Sequence, residues 1–284
     1  MGAVKVLESV AALRVQRAAW RVAGERVALV PTMGALHQGH ISLVQLARLH
    51  ATRVVVSIFV NPTQFAPGED FAAYPRTFEG DCAMLAAAGA DAVFHPGVEM
   101  IYPDGFATSV EMRGPAVAGL EDLVRPTHFA GVATIVAKLL IQAAPDVAVF
   151  GEKDFQQLAV IRRLVLDLDL PVEIIGAPTL RDPDGLALSS RNAYLSEAET
   201  AIAPRLHACL ARVADDLQKG DSAKRLLDEA RAEMTAAGFA VDYLELRQAR
   251  DLAPVTQKSA GPMRLLVAAK LGRTRLIDNV AVDL

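Results

Sequence analysis

Cysteine is almost missing from this chain: Cys82 and Cys209 are the only two among 284 residues, and they stand far apart. A disulfide framework needs several cysteines and a structural zinc site needs them closely spaced, so neither is expected, and a reducing cytoplasm fits. Positive charge is also in short supply. With 29 Lys and Arg against 33 Asp and Glu, the formal net charge is -4. That leaves no basic face for long nucleic acid, and any phosphate the chain binds should sit on a small molecule. No long hydrophobic run occurs either, because the most apolar stretch, 132–150, is broken by Lys138, Pro145 and Asp146. A membrane span is therefore not expected. Lys5, Glu8, Arg14, Arg17 and Arg21 interrupt any signal-peptide core near the start. Met1-Gly2 opens like a myristoylation signal, but Val6 stands where Ser or Thr is required. There is no Walker A pattern, no strand-linked G-x-G-x-x-G and no internal repeat, which removes the main support for ordinary P-loop and dinucleotide readings.

What is present is an ordinary globular composition, 52% hydrophobic and 22% charged, enough for one large domain or two modest ones. Apolar runs at 26–30, 53–60, 91–94, 147–150 and 172–176 read as strands. Segments 40–49, 78–88, 130–143 and 154–168 read as helices. That alternation predicts an α/β domain over 1–178, a Rossmann-like, mainly parallel sheet flanked by helices. After Pro178 the pattern changes. Ser196 to Glu199 has capping-box form, and the helix after it carries Ile202, Leu206, Leu210, Val213 and Leu217 on one stripe. A second helix near 222–236 and strands near 240–247, 263–269 and 274–282 complete a smaller α+β domain over 179–284.

Sites in parallel sheets lie at the carboxyl ends of strands, and the polar motifs fall there. The first strand runs into PTMGALHQGH, which sets His37 and His40 at the start of an apolar helix. Unpaired N–H groups and the positive dipole pole make such an end an anion site. Two imidazoles beside it suit phosphate oxygens, and the ligand class they fit best is a nucleoside triphosphate. The second strand ends in Asn61-Pro-Thr-Gln64, two amides able to donate and accept toward hydroxyl and carboxylate groups. Strand 147–150 runs into Gly151-Glu-Lys153-Asp154-Phe-Gln-Gln157. Glycine admits close backbone approach, Lys153 supplies a point charge, and Asp154 either accepts from ribose hydroxyls or caps the helix. Ser189, Ser190 and Arg191 form a third cluster, two hydroxyls and a guanidinium suited to clamping phosphate. The set resembles the HIGH and KMSKS machinery of nucleotidyl transferases and class I aminoacyl-tRNA synthetases.

The resemblance then becomes specific. PTMGALHQGH, SIFVNPTQF, YPRT (74–77), RPTHFAGV (125–132), PDVAVFGEKDFQQL (145–158), DGLALSSRNAYL (184–195) and LGRTRLIDN (271–279) occur in order. They look like the pantothenate synthetase, or pantoate–β-alanine ligase, family. The resemblance implies a HIGH-superfamily N-terminal domain with a small C-terminal lid, usually in a homodimer. It implies two steps: pantoate attacks the α-phosphorus of ATP to give pantoyl adenylate and pyrophosphate, and β-alanine then displaces AMP.

Carried onto this sequence, the resemblance implies that His37 and His40 contact the phosphates and stabilise the transition state. Lys153 binds phosphate, with Ser189, Ser190 and Arg191 closing over it. Gly151 and Asp154 hold the ribose and the Leu180 backbone the adenine. Gln64 and Gln157 hold pantoate, aided by Asn61 and the Met33 backbone. Mg²⁺ comes with ATP, and Asp81, after YPRT, is the candidate to reach it. The chain departs from the family's pattern in Leu188 for Met, Thr127 for the Gly of RPGHF, and Leu140-Ile141 for Phe-Asn. Two other readings remain at this stage. A HIGH-type nucleotidyl transferase acting on a phosphorylated acceptor is disfavoured by the amides Asn61, Gln64 and Gln157, and a non-catalytic nucleotide-binding protein by the intact His37, His40, Lys153 and Arg191.

Overall fold

The computed structural model describes residues 3–65, 71, 74–256 and 261–283, so Met1-Gly2, the start of the lipidation-like signal, lies outside the described residues. The chain divides into two compact units, residues 1–152 with 160–178, and residues 153–159 with 179–284.

The first unit holds a six-stranded parallel sheet in the order β1-β4-β3-β2-β5-β6. Its strands are β1 (Lys5–Leu7), β2 (Val27–Thr32), β3 (Arg53–Ile58), β4 (Ala92–Phe94), β5 (Val147–Gly151) and β6 (Glu173–Ala177). Its helices are α1 (Val10–Val22), α2 (Gln38–His50), α3 (Phe78–Ala88), the short α4 (Val98–Ile101) and α5 (Glu121–Val124), and α6 (His128–Ala143); α7 (Phe155–Asp167) begins in the second unit's share of the chain. Ala28, Val30, Val54, Val56, Val93, Val147 and Val149 are wholly buried in one core with Val44 and Ala47 of α2 and Leu85 of α3. Strands covered on both faces read as continuous apolar runs, which is why their positions are legible. The order reverses at β2: β3 and β4 lie to one side of it, β5 and β6 to the other. Ligands in open α/β sheets bind outside the carboxyl ends of the strands at such a reversal.

Besides the four-residue α4 and α5, two elements of the first unit escape the periodicity. β1 is three residues long, too short to show a repeat, and α1 buries only Leu13 and Trp20. Ser9 marks where α1 begins, its side chain accepting from the Ala12 N–H at 3.1 Å.

In the second unit, the three antiparallel strands β7 (Phe239–Gln248), β8 (Met263–Leu271) and β9 (Thr274–Val282) pack with helices α9 (Arg205–Gln218) and α10 (Ala223–Ala236). The sequence pattern predicts one helix after Ser196; there are two, α8 (Glu197–Ile202) and α9. Pro204 lacks the N–H that would continue the first helix, and it occupies the position before α9. The apolar stripe survives the break, because Leu206, Leu210, Val213 and Leu217 remain buried with Ile202 packed against them. Among the described residues, no helix is long and apolar enough to cross a membrane.

Candidate active site

At the reversal point, β2 gives way to a tight turn before α2. Gly34 and Ala35 both take left-handed φ, 84° and 50°. That conformation is disfavoured for a residue with a Cβ, so something must hold Ala35 there. Asp81, on α3 and 2% exposed, does so. Its Oδ2 accepts from Ala35 N and its Oδ1 from Leu36 N, both at 2.9 Å, and Oδ1 also accepts from Thr77 Oγ1 at 3.0 Å. The expectation that Asp81 reaches a magnesium ion does not fit this geometry. Its oxygens are buried and engaged by three donors, and among the described residues no group of three His, Cys, Asp or Glu is placed to hold a metal. Asp81 braces the turn.

The turn delivers His37 as the N-cap of α2, with His40 at the third helical position. His37 Nδ1 accepts from Gly39 N at 3.1 Å, and His40 Nδ1 accepts back from His37 N at 3.3 Å. The two rings lie 4.2 Å apart between centroids. This is a capping box built from imidazoles instead of Ser and Glu. A nitrogen that accepts a hydrogen bond carries no proton, so in its neutral form each ring keeps its proton on Nε2. Two N–H donors are thereby prepared beside a helix N-terminus, where anions are favoured.

The second strand's motif is held by its own Thr63, by Arg125 and His128 of RPTHFAGV, and by Tyr102, which no motif marks. Asn61 is 1% exposed and its amide is engaged inside the protein. Its Oδ1 accepts from Tyr102 OH at 2.7 Å and Thr63 Oγ1 at 3.0 Å, while its Nδ2 donates to Gln64 Oε1 at 3.1 Å and Gly131 O at 3.3 Å. Burial pushes the Tyr102 phenol up in pKa, which keeps it a donor. Gln64 Nε2 in turn donates to Met33 Sδ at 3.0 Å. The Gln64 carbonyl accepts from His128 Nδ1 at 3.0 Å and Arg125 Nη2 at 3.2 Å. Asn61 thus supports Gln64 and is not itself presented to a ligand. Gly131 explains another part of RPTHFAGV, since a Cβ there would lie 2.3 Å from Thr63 O. Thr127 is exposed with φ -97°, an ordinary value, so the departure from glycine strains nothing. Leu140 is buried and Ile141 is 57% exposed.

Gly151 ends β5, and a Cβ added to it would meet no described atom within 4 Å, so the fold does not itself require glycine there. A single turn of 3-10 helix carries Lys153, half-buried, and the exposed Asp154, and Gln157 follows in the first turn of α7. Within the second unit the Lys153 carbonyl accepts from Asn279 Nδ2 at 2.9 Å. A hairpin-like loop bridges Arg181 to Ala187, and Leu188 N donates to Leu180 O at 3.0 Å. It leads to Ser189, whose Oγ accepts from Arg191 N at 3.3 Å and caps the 3-10 turn Ser190–Tyr194. Arg181 is held by Asp278 through two bonds of 2.7 and 2.8 Å. His207 Nδ1 lies 3.6 Å from Asp278 Oδ2. Burial and then the Arg181 charge push His207 below the usual imidazole pKa, only partly opposed by Asp278.

A parallel sheet whose strand order reverses at β2, with a helix N-terminus at the switch point, defines the first unit as a Rossmann-like α/β fold. The chain belongs to the pantoate-beta-alanine ligase family, whose model matches residues 5–281. It is 58% identical to the pantothenate synthetase of Mesorhizobium japonicum over 283 residues, covering 99% of each chain. It is 56% identical to that of a Bradyrhizobium species over 278 residues, 98% of each. Among solved structures, pantothenate synthetase from Thermus thermophilus matches with a TM-score of 0.91 at 46% identity, covering 99% of this chain and all of the other. A pantoate-beta-alanine ligase from Francisella tularensis, complexed with beta-gamma ATP and beta-alanine, matches with a TM-score of 0.81 at 34% identity over 98% and 97% of the chains.

Proposed function

We propose that this enzyme condenses pantoate with β-alanine at the expense of ATP, through a pantoyl adenylate, in the cytoplasm and as a homodimer. The observation that carries the reading is the imidazole capping box, which supplies two Nε2–H donors at the carboxyl end of the strand where the sheet reverses. A pantoate carboxylate oxygen bonds to the α-phosphorus of ATP while the bond to the leaving pyrophosphate breaks. That nucleophile is already ionised near neutral pH, so the step needs charge stabilisation and alignment and no general base. His37 and His40 donate to phosphate oxygens as charge builds, and Lys153 adds a positive point charge. Ser189, Ser190 and Arg191 donate further to the phosphates. Gly151 admits the ribose closely, Asp154 accepts from its hydroxyls, and the Leu180 backbone meets the adenine. Gln64 and Gln157 orient pantoate with the Met33 backbone, and Asn61 steadies Gln64. The β-alanine nitrogen, once deprotonated from its ammonium form, then attacks the acyl carbon, the bond to AMP breaks, and the nitrogen's second proton leaves as the amide forms. Magnesium, expected with ATP, would neutralise phosphate charge there; among the described residues no group of three His, Cys, Asp or Glu is placed to hold it.

Exchange of labelled pyrophosphate into ATP tests the reading, and it should require pantoate. Folded protein that catalyses no such exchange refutes it; product formation without β-alanine would favour a different HIGH-type transferase. Replacing His40 with Ala removes a transition-state donor and should slow adenylation roughly 10²-fold.

A further inference from the structure

LGRTRLIDN is a motif that the proposed chemistry leaves without work, and it ends in Asp278 and Asn279, 4% and 3% exposed on β9. Successive strand residues point to opposite faces, and each of these two reaches a different nucleotide loop of the second unit. Asp278 grips the Arg181 guanidinium, which also donates to Gly185 O at 3.1 Å and so ties both ends of the loop that runs on to Ser189, Ser190 and Arg191. Asn279 donates to the Lys153 carbonyl and accepts from Arg264 Nε at 2.6 Å. The Arg264 guanidinium lies 4.3 Å from the centroid of the Phe155 ring, two residues after Lys153. Asn279 N donates to Asp278 Oδ1 at 2.7 Å, which joins the two networks at the strand.

We propose that Asp278 and Asn279 are positioning residues for ATP: adjacent side chains of one strand that set where the Lys153 turn and the Ser189–Arg191 loop stand relative to each other. A buried ion pair stabilises little compared with apolar residues of the same volume, because desolvation offsets the attraction. What it does supply is a fixed, two-bond geometry. Both carboxyl and amide are turned inward to protein groups, so the pair acts through the loops and not by touching nucleotide. This inference rests on the function proposed above.

The test uses the full chain with Asp278→Asn and Asn279→Asp, both nearly isosteric, in pantoate-dependent exchange at varied ATP. Each should raise KM for ATP about tenfold, the equivalent of one buried hydrogen bond, with KM for pantoate changed less than about twofold. Amide hydrogen exchange should quicken at 154–157 in the Asn279 variant and at 182–192 in the Asp278 variant. Should Asp278→Asn fail to fold, Arg181→Lys keeps the charge but loses the fork and should show the same ATP-specific defect. Unchanged KM for ATP in the folded variants overturns the proposal, whether or not the loops loosen. If the unsubstituted chain forms no adenylate, the functional reading fails instead, and amide exchange still decides whether the pair orders the loops.

Discussion

Asp81→Asn is the most informative single substitution, because it separates bracing the histidine turn from binding a metal. The carboxylate accepts three hydrogen bonds, from Ala35 N, Leu36 N and Thr77 Oγ1, at 2.9 to 3.0 Å. Asparagine keeps one acceptor oxygen but turns an NH₂ group toward one of the backbone N–H donors. One buried donor then goes unsatisfied, at about 1–3 kcal/mol, and the remaining bonds lose the strength that the charge gave them, so a total of about 2–4 kcal/mol of stability should be lost. Urea unfolding reads that figure. Released from Asp81, Ala35 relaxes from its φ of 50° and the cap at His37 shifts with it. Misplacement on the scale of an ångström slows chemistry roughly 10²-fold, so pantoyl adenylate should form between about tenfold and 10²-fold more slowly at saturating substrates. Nitrogen NMR of the imidazoles supplies a reading independent of activity: His37 and His40 should show the Nε2–H tautomer before the substitution and a mixture after it. The magnesium concentration for half-maximal rate should not move. Wild-type stability and rate in the variant would refute the bracing argument, and a large rise in the magnesium requirement would return Asp81 to the metal.

Gly131→Ala forces a Cβ to within 2.3 Å of Thr63 O, which neither backbone can yield easily; a loss of about 1–3 kcal/mol in thermal unfolding and weaker pantoate binding should follow, and an unperturbed melting curve would contradict the contact. Tyr102→Phe deletes the donor to Asn61 Oδ1 and should remove about 1 kcal/mol of stability while raising KM for pantoate more than KM for ATP; equal effects on both would show that the tyrosine does not act through Gln64. His207, beside Asp278 and Arg181, has its pKa lowered in the folded protein, so the unfolded chain takes up the proton first as pH falls. Its contribution to stability is whole above the ordinary imidazole range and declines as pH falls through it. Unfolding free energy measured from roughly pH 7 to pH 5 should therefore fall less steeply in His207→Asn than in the parent, and parallel slopes would rule the histidine out.

The parts of this protein that sequence shows well are those whose physics is local. Strands β2, β3 and β5 are buried on both faces and so read as apolar runs. The placement of His37 and His40 at a helix start follows from the turn residues before them and the apolar periodicity after them. Where local rules mislead, the reason can be named. A capping box is looked for as Ser or Thr with Glu or Gln, so two histidines three apart suggest a ligand site and conceal that the same rings cap their own helix. The stripe from Ile202 to Leu217 continues across Pro204 because the core it faces is continuous, although the helix is not.

Partners far apart in sequence leave no such trace. Asp81 sits in the first turn of α3, where an acidic residue needs no explanation beyond the helix dipole, and its bonds to Ala35 and Leu36 span 46 and 45 residues. Asn279 meets Lys153 across 126 residues and Asp278 meets Arg181 across 97. In each case a buried polar side chain is satisfied by the backbone or guanidinium of a loop that itself carries proposed site residues. Burying a polar group is favourable only when its partner is fixed, so each such residue constrains the loop as strongly as the loop constrains it. The groups proposed to meet substrate can be named from short motifs because chemistry limits which side chains serve. Those that hold them in place are specified by the fold alone, and the residues bracing His37, Gln64 and Lys153 become visible only once the strands are put side by side.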